Sequence, residues 1–138
     1  MRLPRLSSFE LMWDDFMHAA FDVGVPMEQM ERCVATLRAR LEEKFAQQRH
    51  LFFGHLGDGN LHVLSGPYAD ETGLLDVEAL VYETVCEAGG CISAEHGIGV
   101  VKRSFLGLTR SDAELDLMRK LKSALDPANI LNGGRVIP

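Results

Sequence analysis

The chain has no apolar run approaching the roughly 18 uninterrupted residues of a membrane-spanning helix. Its first stretch, "MRLPRLSSFELMWDDF", carries early arginines but no apolar signal core, because Ser7, Ser8, Glu10, Asp14 and Asp15 interrupt it. Basic residues are in the minority: 14 Lys and Arg against 20 Asp and Glu leave a net charge of −6. That balance argues against a nucleic-acid surface or an anionic membrane as partner. It still permits a small anionic substrate, which needs only a local basic cluster. Cysteine is scarce, and Cys33, Cys86 and Cys91 are odd in number without a CxxC spacing. Such usage suits a reducing, cytoplasmic setting in which thiols serve as small apolar fillers. Repeats, low-complexity tracts and long linkers are also missing. The 138 residues therefore read as a single domain, 1–138, large enough for a real core but small for a multidomain enzyme.

What is present is strongly patterned. Phe9, Met12, Trp13, Phe16 and Ala20 recur at helical spacing behind Ser7 and Ser8 as N-caps. "FDVGV" (21–25) alternates like a short strand. Pro26 can then sit in the first turn of a helix with Met27, Met30, Val34, Leu37, Leu41 and Phe45 on one face. "LFFGHL" and "NLHVL" read as two strands around a turn. A second helix spans 71–88, with Leu74, Val77, Val81 and Val85 inward and Gly89-Gly90 as its stop. "CISA" reads as a buried strand, and Ser111 with Glu114 forms a capping-box pattern opening a helix that ends at Asp126-Pro127. Without the first helix, the order is strand, helix, strand, strand, helix, strand. This predicts an α+β, ferredoxin-like split βαβ fold: a mostly antiparallel sheet covered by helices, plus C-terminal helices.

Chemistry concentrates in "FFGHLGDGNLHVL" (52–64). With Asp58-Gly59 as a two-residue turn, Leu56 faces Leu61 and His55 faces His62. Opposed strand residues project from one face with Cβ atoms about 5 Å apart, so the two imidazoles can reach one cation. Gly57 and Gly59 would let a cofactor ring approach the backbone. The same spacing equally fits two hydrogen-bonded strand histidines beside a flexible turn. A second cluster, "SAEHGIG" (93–99), places an acid and a further histidine where the last strand ends. Two histidines and a carboxylate form a common catalytic zinc set with an open coordination position, and His55, His62 and Glu95 fit it. His96 is then an imidazole beside the metal, suited to general-base work near neutrality. Lys102 and Arg103 follow, either as a solvated helix face or as an anion contact to cofactor or substrate. Asp58 reads as a turn former and a partner for a histidine.

"GHLGDGNLHV", "SAEHGIGVVKRSFL" and "LDPANILNGGRVIP", with "FDVGVP" before the long helix, resemble the C-terminal domain of FAD-linked 2-hydroxy-acid dehydrogenases and oxidases. That family includes D-lactate dehydrogenases, the FAD subunit of glycolate oxidase and D-2-hydroxyglutarate dehydrogenases. The likeness runs from about Phe21 to Pro138. It implies oxidation of a D-2-hydroxy acid to a 2-keto acid, with hydride transfer to FAD and a divalent ion, Zn or Mn, on the residues matching His55, His62 and Glu95. By the same resemblance, His96 takes the hydroxyl proton and Asn60 lies near substrate and flavin. Asn132, which opens Asn132-Gly133-Gly134-Arg135 where the family has "NPGK", joins Gly57, Gly59 and Lys102 as a candidate cofactor or substrate contact. Ala20 stands where several relatives carry a lysine for the substrate acid.

The family holds its flavin on a separate N-terminal domain, for which these 138 residues leave no room. The implied partners are therefore a small 2-hydroxy acid and an FAD-binding domain or subunit, without which the chain is inactive. A surface left uncovered would favour a homo-oligomer. Two other readings remain: a non-catalytic remnant or interaction module of the same fold, and a metal-dependent hydrolase. The hydrolase lacks an HExxH or comparable signature.

Overall fold

In the computed structural model, which describes residues 17–137, three alternating segments pair into one antiparallel sheet in the order β1-β3-β2. The strands are β1 (Met17–Gly24), β2 (Arg49–Phe53) and β3 (Asn60–Tyr68). Between β1 and β2 runs helix α1 (Met30–Lys44), entered through one 3-10 turn behind Pro26. Helix α2 (Glu71–Glu87) follows β3, with the Gly73 amide donating to the Asp70 carboxylate as its N-cap. Helix α3 (Asp112–Leu125) opens with the expected Ser111–Glu114 capping box.

Period-two alternation sorts the two sheet faces. Ala19, Phe21 and Val23 on β1 and Leu61 and Val63 on β3 turn toward the helices. There they meet Met30, Cys33, Leu37 and Leu41 of α1 and Val77, Val81, Tyr82 and Val85 of α2 in one core. Edge-to-face ring pairs, Phe21 with Tyr82 and Phe45 with Tyr68, close its two ends at 5.5 Å each. The intervening residues, Ala20, Asp22, Asn60, His62 and Leu64, line the opposite face. The chain therefore spends its aliphatic surface on one side and its chemistry on the other.

The expected α+β class holds, with three local differences. The helix expected through Ala20 covers residues 9–16, which lie outside the described residues; Ala20 itself belongs to β1. That strand begins at Met17, earlier than the expected 21–25, because the long β3 offers partners as far as Ser65 and Tyr68. "CISA" forms no full strand either. Cys91 makes one antiparallel bridge to Gly24, through reciprocal amide–carbonyl bonds of 2.8 and 3.0 Å. This is where the fourth strand of a split βαβ sheet would lie, beside β1. The chain then leaves the ladder, and the Glu95 and His96 amides go to a side chain, the Asp22 carboxylate, instead of a neighbouring backbone.

Candidate functional site

The turn that carries the first two histidines is not a two-residue hairpin. β2 and β3 pair Phe53 with His62, so His55 stands outside the ladder. Leu56–Asp58 forms a 3-10 turn, closed by left-handed Gly59 (φ 68°), a common terminator. The His55 carbonyl accepts the Asp58 amide at 2.9 Å and the Asn60 amide at 3.2 Å. Asp58-Gly59 is thus used as a helical stop rather than as a hairpin tip. The two imidazoles still meet, with centroids 6.0 Å apart and planes at 81°.

His62 sits on the central strand, flanked in register by Asp22 of β1 and Phe53 of β2. The Phe53 ring lies 5.2 Å from it, and the His96 ring stacks at 6.2 Å with planes 26° apart. Glu95 Oε1 is 3.3 Å from His55 Nδ1. One nitrogen from each of His55 and His62 and one Glu95 oxygen all lie within 4.8 Å of one another. A zinc-like ion needs ligands at about 2.0–2.2 Å, so the donors must close in slightly. His55 and Glu95 are exposed and free to rotate, and His62 is half-buried on a rigid strand. The donor set fits a borderline divalent ion.

Asp22, Glu95 and His96 form a second close group of metal-capable atoms. The acceptor capacity of its Asp22 carboxylate is already used. Asp22 Oδ2 accepts the His96 amide at 2.8 Å and the Glu95 amide at 3.0 Å. The Ser93 hydroxyl lies between the Gly97 carbonyl at 3.0 Å and Asp22 Oδ2 at 3.3 Å. Only 2 % of Asp22 is exposed. Burial pushes its carboxyl pKa upward, but the His96 and Glu95 amides, the Lys102 ammonium and the His96 ring outweigh that and hold it below the usual range.

Lys102 departs from both readings of the sequence. It is buried, its Nζ donates to the Asp22 backbone carbonyl at 3.0 Å and it lies 3.8 Å from Asp22 Oδ2. Burial pulls its pKa down, against the attraction of Asp22 and Cys91. An ammonium so engaged is an internal lock, neither a solvated face nor an open anion contact.

The two turn glycines differ. Gly57 is exposed, and a Cβ there would meet nothing within 4 Å. Gly59 is buried and closes the turn onto β1: its carbonyl accepts the Val25 amide at 2.8 Å, and an added Cβ would lie 2.7 Å from the Val25 oxygen. Asn60 is buried, yet neither its side-chain oxygen nor its nitrogen has a partner among the described residues. A buried amide left unpaired is costly and calls for a partner.

Asn132 stands apart, exposed in the tail at φ 51°. It shares a hollow of about 490 Å³ with Lys122, Asp126 and Arg135. The tail is held by Asp126, which accepts the Ile130 and Leu131 amides and pairs with Lys122, and by Arg103, which donates to the Gly134 carbonyl. The space beside the clustered histidines is a smaller hollow of about 250 Å³, lined by Ala20, Phe21, Phe53, His62, Leu64 and His96. A larger cleft between α1 and α2 spends its charge internally, Arg40 bonding Glu87 at 2.7 Å and Thr84 at 2.9 Å.

Asp22 is the residue that sequence reasoning missed. Its signal was an acid at the centre of "AAFDVGV", where every other side chain is apolar or absent.

The sequence model for "FAD linked oxidases, C-terminal domain" matches residues 5–136. The mitochondrial D-2-hydroxyglutarate dehydrogenase of Bos taurus is 41% identical over 120 residues, covering 86% of this chain and 22% of that protein. The D-2-hydroxyglutarate dehydrogenases of Xanthomonas citri pv. viticola and Stutzerimonas stutzeri are 40% and 35% identical over 121 residues, 83% of this chain and 26% of each. The chain thus spans about a quarter of the length of these relatives.

Proposed function

The chain belongs to the family of FAD-linked oxidase C-terminal domains, and from that membership we propose that it is the substrate- and metal-binding part of an FAD-dependent dehydrogenase for a D-2-hydroxy acid. The observation that carries this reading is the meeting of His55, His62 and Glu95 within 4.8 Å, from segments far apart in sequence. Those three residues would hold a divalent ion, zinc or manganese, whose charge would favour loss of the proton from a substrate hydroxyl. FAD, bound chiefly by a domain or subunit outside these 138 residues, would supply the acceptor for the α-hydride.

The remaining work falls to this chain. His96, stacked on His62 beside the hollow, takes the hydroxyl proton. Phe53 and Leu64 give the hollow apolar walls that exclude water from the reacting carbon. Gly57 leaves room for a flat ring against the turn, and the unpartnered Asn60 amide gains a hydrogen bond when cofactor or substrate is bound. Asn132 contributes only if the tail moves toward the turn. The relatives named as D-2-hydroxyglutarate dehydrogenases make that acid the first substrate to test. Ala20 lines the hollow without offering a cation, so shorter hydroxy acids belong in the same panel. Because Cys33, Cys86 and Cys91 are all free thiols, a reducing compartment such as the cytoplasm is part of the proposal.

The purified chain should bind about one equivalent of Zn²⁺ or Mn²⁺ by metal analysis. His55→Ala and Glu95→Gln should each weaken that binding by about tenfold or more, in line with the loss of one ligand from a three-residue set. Unchanged metal content in both variants would sink the metal site. Mixing with the flavin domain of a relative should restore hydroxy-acid oxidation; metal binding without turnover would instead favour a non-catalytic module of the same fold.

A further inference from the structure

We propose that Asp22 is the positioning residue of this site: its buried carboxylate, by accepting the Glu95 and His96 amides, sets where Glu95 meets the hairpin imidazoles and how His96 stacks on His62. The inference rests on the roles proposed above for Glu95 and His96.

Besides Asp22, the segment that carries these two residues is held by the Ser93 hydroxyl, which donates to the Gly97 carbonyl across it at 3.0 Å. After the Cys91–Gly24 bridge it leaves the sheet, and Gly97 and Gly99 adopt left-handed conformations (φ 76° and 55°). Its side chains at positions 95 and 96 are exposed, so burial does not orient them. What fixes the backbone between them is one carboxylate, with amide contacts of 3.0 and 2.8 Å. Two adjacent amides held at one oxygen fix the two peptide planes that flank the Glu95 Cα, 94–95 and 95–96. Their Cα–Cβ bonds then diverge, Glu95 reaching His55 and His96 lying over His62. Asp22 Oδ2 also faces His96 Nδ1 at 3.8 Å, so Nδ1 is the ring nitrogen turned toward the strand.

Asp22 is itself held. It lies directly opposite His62 in the β1–β3 register, which places its carboxylate beside the ring it serves. Lys102 binds its backbone carbonyl and supplies the nearby positive charge, so a buried anion is not left unpaired. With its oxygens occupied, Asp22 is a poor metal ligand and a good anchor. Carboxylates that orient the residues touching a metal typically account for about 10–100-fold in affinity or activity.

Asp22→Asn in the full chain tests this with little change of volume, since it leaves one uncharged acceptor oxygen where two anionic ones held the amides and puts a donor in place of the other. Two readouts are taken: hydrogen exchange of the Glu95 and His96 amides without metal, and Co²⁺ affinity from its visible absorption. Wild-type protein should protect both amides. In Asp22→Asn their exchange should quicken by at least about tenfold, and Co²⁺ affinity should fall about 10–100-fold, while β3 amide protection is unchanged. Ser93→Ala, which removes the hydroxyl's 3.0 Å bond to the Gly97 carbonyl and its weak 3.3 Å contact to Asp22 but spares the two amide contacts, should lower Co²⁺ affinity less than Asp22→Asn does. Equal affinities in wild type and Asp22→Asn, or Glu95 and His96 amides unprotected in the wild type, would overturn the proposal. The second result needs no folded variant. A wild type that binds no Co²⁺ would refute the metal reading alone, and amide exchange would still decide whether Asp22 is the anchor.

Discussion

At the scale of single residues, the polar groups near the sheet fall into those that are satisfied within the chain and those that are not. His50 belongs to the first kind. Its Nε2 lies 3.2 Å from the Phe45 carbonyl and must donate to it, so in the neutral ring Nδ1 accepts from the Ser65 hydroxyl at 2.8 Å. Tyr68 then completes the chain by donating to Ser65. Burial and the nearby Arg38 depress the His50 pKa below 6.5, against the pull of the Phe45 carbonyl and Glu42. The unfolded chain therefore takes up this proton before the folded one does. Stability is whole above pH 6.5 and falls as the pH drops toward the folded value. Asp22 acts in the same direction lower down, its contribution being lost as the pH falls below 3.8 and through its depressed folded pKa. Urea midpoints measured between pH 8 and 5 should decline below about 6.5, and His50→Gln should flatten that decline. A flat wild-type profile would remove His50 as the cause.

At the scale of elements, the join between α2 and β1 controls the site from a distance. Gly89 ends the helix in a left-handed conformation, and the Gly90 amide returns to the Val85 carbonyl at 2.9 Å. A Cβ on Gly90 would come within 2.4 Å of the Gly24 carbonyl and 2.7 Å of Val85 Cγ1. Gly90→Ala should therefore force the Cys91 bridge away from Gly24. We expect a loss of about 1–3 kcal/mol in urea unfolding, typical of overpacking, together with weaker metal binding because Glu95 follows four residues later. Full stability and full metal affinity in that variant would show the join to be soft. The helices themselves were legible from spacing: α1 and α2 bury Met30, Leu37 and Leu41 and Val77, Val81 and Val85 where periods of three and four place them. Of the apolar face expected on α3 (Leu115, Met118, Leu121, Leu125), however, only Leu115 is buried. The turn at 54–59 was misread because Asp-Gly suits either a hairpin tip or a helical stop. Only pairing with β1 selects between them, through the Val25–Gly59 bond.

At the scale of the whole molecule, α1 and α2 cover one face of a three-stranded sheet and the other carries the site. Around it, Leu51, Phe53 and Leu56 are each more than 40% exposed, and Leu117, Leu121 and Leu125 line the outer side of α3. Apolar surface displayed this freely favours association. The isolated chain should show a mass in light scattering that rises with concentration, and a charged replacement at Leu51 or Leu125 should reduce it. A concentration-independent monomer would count against this reading. No helix among the described residues is long and apolar enough to cross a membrane.

The sequence by itself determined the α+β class, the three long helices and the identity of the clustered donors. Those features rest on local periodicity and on side-chain chemistry that any neighbourhood preserves. Tertiary structure alone decided that Phe53, not His55, pairs with His62, that "CISA" shrinks to one bridge, and that Lys102 turns inward. The last two share a cause in Asp22, a buried charge that must be paired and finds its amide partners 73 and 74 residues downstream. No local pattern announces a contact of that range, because it is settled by which donors the finished sheet leaves within reach of a carboxylate that water no longer solvates.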